Sequence, residues 1–171
     1  MEPSDKYLID VGALFRSKLG EKTPKWIIWL GRKLLHEDFL NTYFKEGYTG
    51  VEFAEKALEY MHITLQVEGL EKVPTDRLVT VASNHPLGGH DALAIVSIFG
   101  RIYDGNIRIM VNDFLMVLKQ LNGIFVPVNK MGGQSRSLSS QTDGIFQSDA
   151  QVLMFPAGQC ARREHGTVVE R

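Results

Sequence analysis

Apolar residues recur at helical spacing through the first third of the chain. After Thr23 and Pro24, which are typical of a helix start, apolar side chains follow at positions 26, 27, 29, 30 and 34. The same periodicity continues after residue 37 and again after residue 51. We therefore predict helices over residues 24–34, 37–45 and 51–61.

The pattern changes at His62, after which apolar and polar residues alternate over residues 63–67 as in a strand. Residues 78–82 form a short β-branched apolar run, which predicts a strand buried on both faces. Further strands are predicted at 107–111, 123–128 and 151–155, and further helices at 91–99, 113–121 and 134–147. Alternating strands and helices predict an α/β fold with a mainly parallel sheet flanked by helices. We expect an N-terminal helical segment at residues 1–62 and an α/β core at 63–171.

The composition is that of a globular protein, with 171 residues, 44% hydrophobic and 23% charged. Its single cysteine, Cys160, excludes a disulfide within the chain. The longest stretch without Asp, Glu, Lys or Arg covers the thirteen residues 78–90, whereas a membrane-spanning helix needs roughly 20 apolar residues. The N-terminus has no signal-peptide pattern. We therefore expect a cytoplasmic protein without a membrane span.

The net charge of −1 conceals a basic stretch between Arg16 and Lys33, where six basic residues face one acidic residue. Nucleic-acid binding usually needs a broader basic surface, so we expect no nucleic-acid partner. Basic residues beside aromatic ones are typical of a segment that lies on a membrane surface. The predicted membrane contact consists of Lys25, Trp26, Trp29 and Lys33. The alternative is a helix packed in the core with a charged outer face.

The segment from Asn84 to Asp91, NHPLGGHD, lies between a predicted strand and a predicted helix. Because two glycines follow Pro86, this loop can fold back and bring the Asp91 carboxylate to the His85 imidazole. A carboxylate on one imidazole nitrogen makes the other a general base. Two alternatives remain open. Asp91 is also a natural helix N-cap, and His85, His90 and Asp91 could together bind a metal ion.

Cationic residues end three later segments of the chain, GIFVPVNK, KMGGQSR and FPAGQCARR. In a parallel sheet the ends of these strands lie on the same edge as His85. The cations at these ends, which could converge on an anionic group, are Lys130, Arg136, Arg162 and Arg163. The alternative is that each of them is a solvated surface residue.

Taken together, NHPLGGHD, GIFVPVNK and FPAGQCAR resemble, in order and approximate spacing, three sequence blocks of the glycerolipid acyltransferase superfamily. This superfamily includes lysophosphatidic acid and glycerol-3-phosphate acyltransferases. The resemblance covers roughly residues 63–163. It is strongest to a bacterial branch often labelled hemolysin or lyso-ornithine-lipid acyltransferase-like.

This resemblance implies an acyl transfer from acyl carrier protein or coenzyme A to the hydroxyl of a lysolipid. His85, paired with Asp91, would be the general base, and no cofactor or metal ion would be needed. The resemblance also implies a peripheral protein on the cytoplasmic face of a membrane, with the oligomeric state open. The substrate-binding residues that it implies are Asn84, Gly88, Gly89, Lys130, Arg136, Phe155, Pro156, Gly158 and Arg162, of which Phe155, Pro156 and Gly158 would shape the acceptor pocket.

The chain departs from the family pattern at several positions. Five residues separate His85 from Asp91 where four are usual, and Ala157 and Cys160 stand where Glu and Arg are common. These departures make a lyso-amino-acid lipid a candidate acceptor beside lysophosphatidate. The chain ends thirteen residues after Gly158, so we expect a core that is incomplete at its C-terminus. A non-catalytic lipid- or carrier-binding module and a metal-dependent hydrolase are the alternative functions.

Overall fold

The computed structural model describes residues 10–34, 37–128, 144–158, 162–164 and 167–169. Contacts between residues divide the chain into two units. The first contains Met1–Tyr48 and Val117–Gln120, and the second contains Thr49–Met116 and Leu121–Arg171. The domain boundary expected at residue 62 stays a prediction. The last helix before that position, Gly50–Tyr60, lies in the second unit.

Within its described residues, the first unit contains three α-helices: α1 (Val11–Leu19), α2 (Lys25–Leu34) and α3 (Glu37–Phe44). The sequence predicted α2 and α3 but not α1, which begins where Asp10 accepts a hydrogen bond from the Ala13 N–H at 3.0 Å. That bond, with a smaller contribution from Arg32 at 3.4 Å, lowers the pKa of the Asp10 carboxyl. The Asp10–Arg32 pair thus joins α1 to α2.

The second unit contains helices α4 and α5, a four-stranded sheet and a separate hairpin. The elements are α4 (Gly50–Tyr60), β1 (Thr80–Ala82), α5 (Gly89–Ile102), β2 (Ile107–Asn112), β3 (Phe125–Val128), β4 (Gln151–Met154), β5 (Arg162–Glu164) and β6 (Thr167–Val169). The predicted helix over 113–121 is instead two short 3₁₀ turns, Asp113–Val117 and Lys119–Leu121. The predicted helix over 134–147 lies mostly outside the described residues, which include only its end.

The sheet has the strand order β1-β4-β2-β3, and each neighbouring pair is parallel. This confirms the α/β fold class. Its core is built from apolar residues of the central strands, since Ile107, Ile109 and Leu153 have no exposed surface. Strands β5 and β6 form an antiparallel hairpin that the sequence did not predict. Because parallel strands share one direction, the carboxyl ends of β1 to β4 lie along one edge.

Two strand predictions are wrong in detail. Residues 63–67 form no strand, although Ile63 and Leu65 are half-buried and Thr64 and Gln66 are exposed as the alternation predicted. The segment follows the end of α4 directly and pairs with no strand among the described residues. Strand β1 is an outer strand, with Thr80 and Ala82 exposed rather than buried on both faces.

Helices α4 and α5 pack closely because Gly100 lacks a side chain. A Cβ at Gly100 would lie 2.7 Å from Val51 Cγ1, well inside van der Waals contact. An ion pair between Glu55 and Arg101 joins the same two helices. No helix in the described part of the chain is long and apolar enough to cross a membrane.

Candidate active site

The carboxyl ends of β1 and β4 bring two of the sequence blocks side by side. Ala82 pairs with Met154 in the parallel ladder, and the Ser83 N–H extends it by donating to the Met154 carbonyl at 3.1 Å. The NHPLGGHD loop leaves β1 at this point, and the FPAG turn leaves β4 beside it. The resemblance placed both blocks at one site, and the sheet register brings them together.

His85, in this loop, and Asp91, in the first turn of α5, lie next to each other. The distance between His85 Nδ1 and Asp91 Oδ2 is 3.2 Å, and the two side chains are only 17% and 15% exposed. The Nδ1 atom is buried, yet it has no hydrogen bond of good alignment among the described residues. The contact is therefore a close polar pair without the alignment of a hydrogen bond. Catalytic hydrogen bonds often become well aligned only when substrate is bound.

Asp91 is held by the start of α5. The helix N-cap is Gly88, whose φ of 72° favours glycine, so the interpretation of Asp91 as the N-cap is wrong. Asp91 lies in the first turn, where the helix dipole stabilises its negative charge. Its Oδ2 atom accepts a hydrogen bond from the Leu87 N–H at 2.7 Å. This bond fixes the carboxylate toward the loop that carries His85.

The Leu87 backbone amide is a contributor that the sequence prediction missed. A carboxylate in the first turn of a helix can reach back to an amide before it, as in a capping box. The position of Asp91, three residues after Gly88, was the available signal. In the sequence prediction this carboxylate pairs with His85, with an N-cap role as the alternative, and neither interpretation assigns the Leu87 amide.

Phe155 packs flat against the imidazole of His85. The two ring centroids are 4.1 Å apart, and the ring planes differ by 22°. The Gly158 N–H donates to the Phe155 carbonyl at 2.8 Å and closes the FPAG turn, in which Gly158 has a φ of 60°. Pro156 in this turn is exposed. The third block therefore contacts His85 directly.

The structure describes only some of the remaining predicted substrate-binding residues. Asn84 is exposed, and its carbonyl accepts a hydrogen bond from the Ser83 hydroxyl at 3.0 Å. Gly89 is the first residue of α5. Lys130 and Arg136 lie outside the described residues. For Arg162 and Arg163 only the backbone, in β5, is described.

The metal-site alternative gains no support from the geometry. His90 is exposed, and its Nδ1 atom lies 3.2 Å from the Leu87 carbonyl oxygen. In the described part of the chain, no three His, Cys, Asp or Glu side chains are grouped so that they could hold a metal ion.

The predicted membrane-contact residues lie on α2. Trp26 is 65% and Trp29 is 61% exposed, and Lys25 and Lys33 are exposed as well. The Lys33 ammonium lies 5.4 Å from the centre of the Trp29 ring, within cation–π distance. Among the residues of α2 whose burial is described, Ile28 and Gly31 are buried. The helix thus packs through a different face, and both tryptophans remain on the surface.

Comparison with known proteins decides the family. The model of the family described as Acyltransferase matches residues 14–171. The chain belongs to this acyltransferase family. The resemblance found in the sequence motifs is thereby confirmed.

Two curated relatives of the chain share one name. The chain is 38% identical over 173 residues to the lyso-glycine lipid O-acyltransferase of Bacteroides thetaiotaomicron (strain VPI-5482). That alignment covers 98% of this chain and 64% of the relative. It is also 38% identical to the lyso-glycine lipid O-acyltransferase of Phocaeicola vulgatus (strain ATCC 8482), covering 95% of this chain and 60% of the relative. The chain therefore spans about three-fifths of the length of these relatives. No solved structure matches it.

Proposed function

We propose that this protein transfers a fatty acyl group from a thioester to the hydroxyl of a lysolipid, with His85 as the general base. The acyl donor in this proposal is acyl carrier protein or coenzyme A. The observation that carries the proposal is the half-buried His85–Asp91 pair in a chain of the acyltransferase family. Two relatives named for O-acylation of a lyso-glycine lipid support the acceptor class.

The proposed reaction begins at the imidazole nitrogen that does not face Asp91. Because Asp91 lies beside Nδ1, it favours the tautomer with a proton on that atom and leaves Nε2 to accept one. Nε2 takes the proton of the acceptor hydroxyl as the oxygen attacks the thioester carbon. The carbon–sulfur bond then breaks, and the leaving thiolate takes the proton from the imidazolium. The products are an ester and a free thiol.

The start of α5 is suited to the negative charge that develops during this attack. The attacked carbonyl oxygen becomes an oxyanion, which backbone N–H groups can stabilise without moving. The first turn of α5 begins at Gly89, after an N-cap that contributes no side-chain hydrogen bond. In the proposal, the amides around Gly88 and Gly89 take this role. Lys130, Arg136 and Arg162 would hold the polar head of the acceptor.

A lyso-amino-acid lipid is the acceptor that we favour. Both relatives are named lyso-glycine lipid O-acyltransferase. That name specifies an amino-acid lipid as the acceptor and O-acylation as the reaction. In this chain Ala157 stands where the resembled block commonly has a glutamate. Lysophosphatidate is the competing acceptor, and the two are distinguished by direct assay.

We further propose that the protein works as a peripheral protein on the cytoplasmic face of a membrane, where its lipid acceptor resides. The exposed surface of Trp26, Trp29, Lys25 and Lys33 on α2 would contact the bilayer. Tryptophan suits the interfacial zone, and lysine is attracted to anionic lipid headgroups. Arg32 is less available for lipid, because it pairs with Asp10.

The function is tested by incubating the purified protein with labelled acyl carrier protein or labelled acyl-coenzyme A and a panel of lysolipids. The panel contains lyso-glycine lipid, lyso-ornithine lipid and lysophosphatidate. We expect label to appear in an alkali-labile ester of at least one lysolipid, with release of one thiol per ester. Binding of thioester or lipid without transfer to any acceptor would instead indicate the non-catalytic module, and the proposal would be wrong.

A further inference from the structure

We propose that Phe155 is a positioning residue for His85: its ring restrains the imidazole and stabilises the imidazolium formed during acyl transfer. This inference rests on the proposed function. It differs from the role that the family resemblance implies for Phe155, which is to form part of the acceptor pocket. The carrying observation is the stacked contact, with ring centroids 4.1 Å apart and planes inclined by 22°.

The contact follows from the register of the sheet. Continuing the pairing of Ala82 with Met154 by one residue sets Ser83 beside Phe155. His85 is two residues after Ser83, in the loop that leaves β1, and Phe155 is the first residue after β4. The two rings therefore start from neighbouring strand ends, and they stack there.

The turn after β4 fixes Phe155 in this place. Its carbonyl accepts the Gly158 N–H at 2.8 Å, and the left-handed φ of 60° at Gly158 favours glycine over residues with a side chain. Phe155 itself is half-buried. The ring therefore has a defined position from which it can restrain another group.

The Asp91 carboxylate alone does not fix the orientation of the imidazole. His85 Nδ1 is 3.2 Å from Asp91 Oδ2, but this contact lacks the alignment of a hydrogen bond. A flat aromatic surface on one side restrains the tilt of the ring, which a single polar contact leaves free. Stacking and the carboxylate thus act on different degrees of freedom of the same side chain.

The stacked ring also favours the charged form of the base. When Nε2 takes the proton of the acceptor hydroxyl, His85 becomes a cation and the acceptor oxygen becomes the nucleophile. The negative face of an aromatic ring attracts a cation within about 6 Å of its centre. The centre of the Phe155 ring lies inside that distance of the imidazole. The ring would therefore stabilise the imidazolium more than it stabilises the neutral imidazole.

The stack is tested directly by NMR, without reference to activity. The His85 ring C–H signals are assigned by their loss in His85→Ala. In the unchanged protein we expect them upfield of free histidine, because they lie over the Phe155 ring. In Phe155→Leu they should move toward the free position, and in Phe155→Tyr they should remain upfield. Wild-type signals at the free position would overturn the inference, and this readout needs no variant of Phe155.

Kinetics separate positioning from pocket formation. Leucine keeps an apolar side chain but has no aromatic face, so Phe155→Leu should lower kcat by about 10-fold and leave KM within about twofold. Phe155→Tyr, which keeps the stack, should restore kcat. As a matched control, Phe146→Leu removes an exposed phenylalanine away from the site and should change neither constant.

The outcomes distinguish this inference from the proposed function. If Phe155→Leu raises KM and leaves kcat unchanged, Phe155 is a pocket residue and the inference is wrong. If no acyl transfer occurs in any variant, the proposed function fails, and the upfield signals alone still report the stack.

Discussion

At the residue scale, Asp91 has two contacts with different physical roles. Its Oδ2 atom accepts the Leu87 N–H at 2.7 Å and lies 3.2 Å from His85 Nδ1. The first contact orders the loop, while the second places a negative charge beside the proposed base. A substitution that keeps the hydrogen-bond acceptor and removes the charge can separate the two.

Asp91→Asn is that substitution. The amide oxygen can still accept the Leu87 N–H, so we expect the free energy of unfolding to change by less than about 1 kcal/mol. Without the charge, the imidazolium loses its counterion, and the acyl-transfer rate should fall by at least about 100-fold. Single-turnover rates and denaturant unfolding measure the two effects.

The control is Asp76→Asn, which removes a carboxylate from an exposed position paired only weakly with Arg77 at 4.0 Å. It should leave the rate unchanged. A wild-type rate in Asp91→Asn would show that the charge has no part in the reaction.

The residues of the site were predictable to different degrees. The sequence places His85 and Asp91 in one loop with flexible glycines, and such local spacing is enough to suggest a pair. The contacts of Leu87 and Phe155 were not predictable. The first depends on where α5 begins, and the second on which residue of β4 stands beside β1.

At the element scale, the packing of α4 on α5 depends on Gly100 facing Val51. An added methyl group at Gly100 would lie 2.7 Å from Val51 Cγ1 and would force the helices apart. Both residues lie in the second unit, which also carries the site. The start of α5 holds Asp91, so the position of this helix matters to the site.

Gly100→Ala should destabilise the protein by about 1–3 kcal/mol, although alanine is the better helix former. Val51→Ala removes both methyl groups that clash and leaves only the Cβ, at 3.1 Å, so Gly100→Ala in that background should be clearly less destabilising. A double-mutant cycle in denaturant measures this coupling. Additive effects of the two substitutions would contradict the proposed close contact.

The end of α4 has a histidine in a conformation that favours glycine. His62 has a φ of 55°, and the following Ile63 N–H bonds back to the Leu58 carbonyl at 2.9 Å, as in a Schellman motif. His62→Gly should therefore stabilise the protein by up to about 1 kcal/mol in thermal or denaturant unfolding.

His62→Ala is the comparison for that prediction, since it removes the imidazole and keeps the Cβ that disfavours this backbone angle. It should be less stable than His62→Gly. The reverse order would show that the φ of 55° is not a source of strain.

Elements were predictable where their signal is local. The helices 24–34 and 37–45 show apolar periodicity and were found as α2 and α3. The segment 63–67 has the alternation of a strand, and burial follows that alternation as far as Gln66, but a strand also needs a neighbour to pair with. Pairing is a property of the whole sheet and is not encoded in five residues.

At the scale of the whole molecule, the uneven charge distribution has a structural counterpart. The basic stretch of the sequence includes α2, where both tryptophans are exposed beside Lys25 and Lys33. Two exposed tryptophans beside lysines on one helix fit a surface that meets an anionic bilayer.

Replacing Trp26 and Trp29 by alanine should weaken binding to vesicles that contain anionic lipid, by about 10-fold or more in sedimentation. The fold should be retained, because both side chains are exposed. Binding should also weaken as salt is added, since lysine attraction to lipid is screened. Phe146→Ala, at another exposed aromatic position, is the control and should bind as the unchanged protein does.

Unchanged sedimentation of the double variant would show that α2 does not contact the membrane. It would leave the acyl-transfer proposal in place, because His85 lies on different elements.

The measurement that tests the central claim most directly is the rate of thioester-dependent lysolipid acylation by His85→Ala. Circular dichroism establishes that the variant is folded, and His62→Gly serves as the control for loss of an imidazole elsewhere. With His85 as the general base, the rate of the variant should fall by about 100- to 10,000-fold, while His62→Gly keeps the wild-type rate. A folded His85→Ala protein that acylates a lysolipid at the wild-type rate would contradict the account.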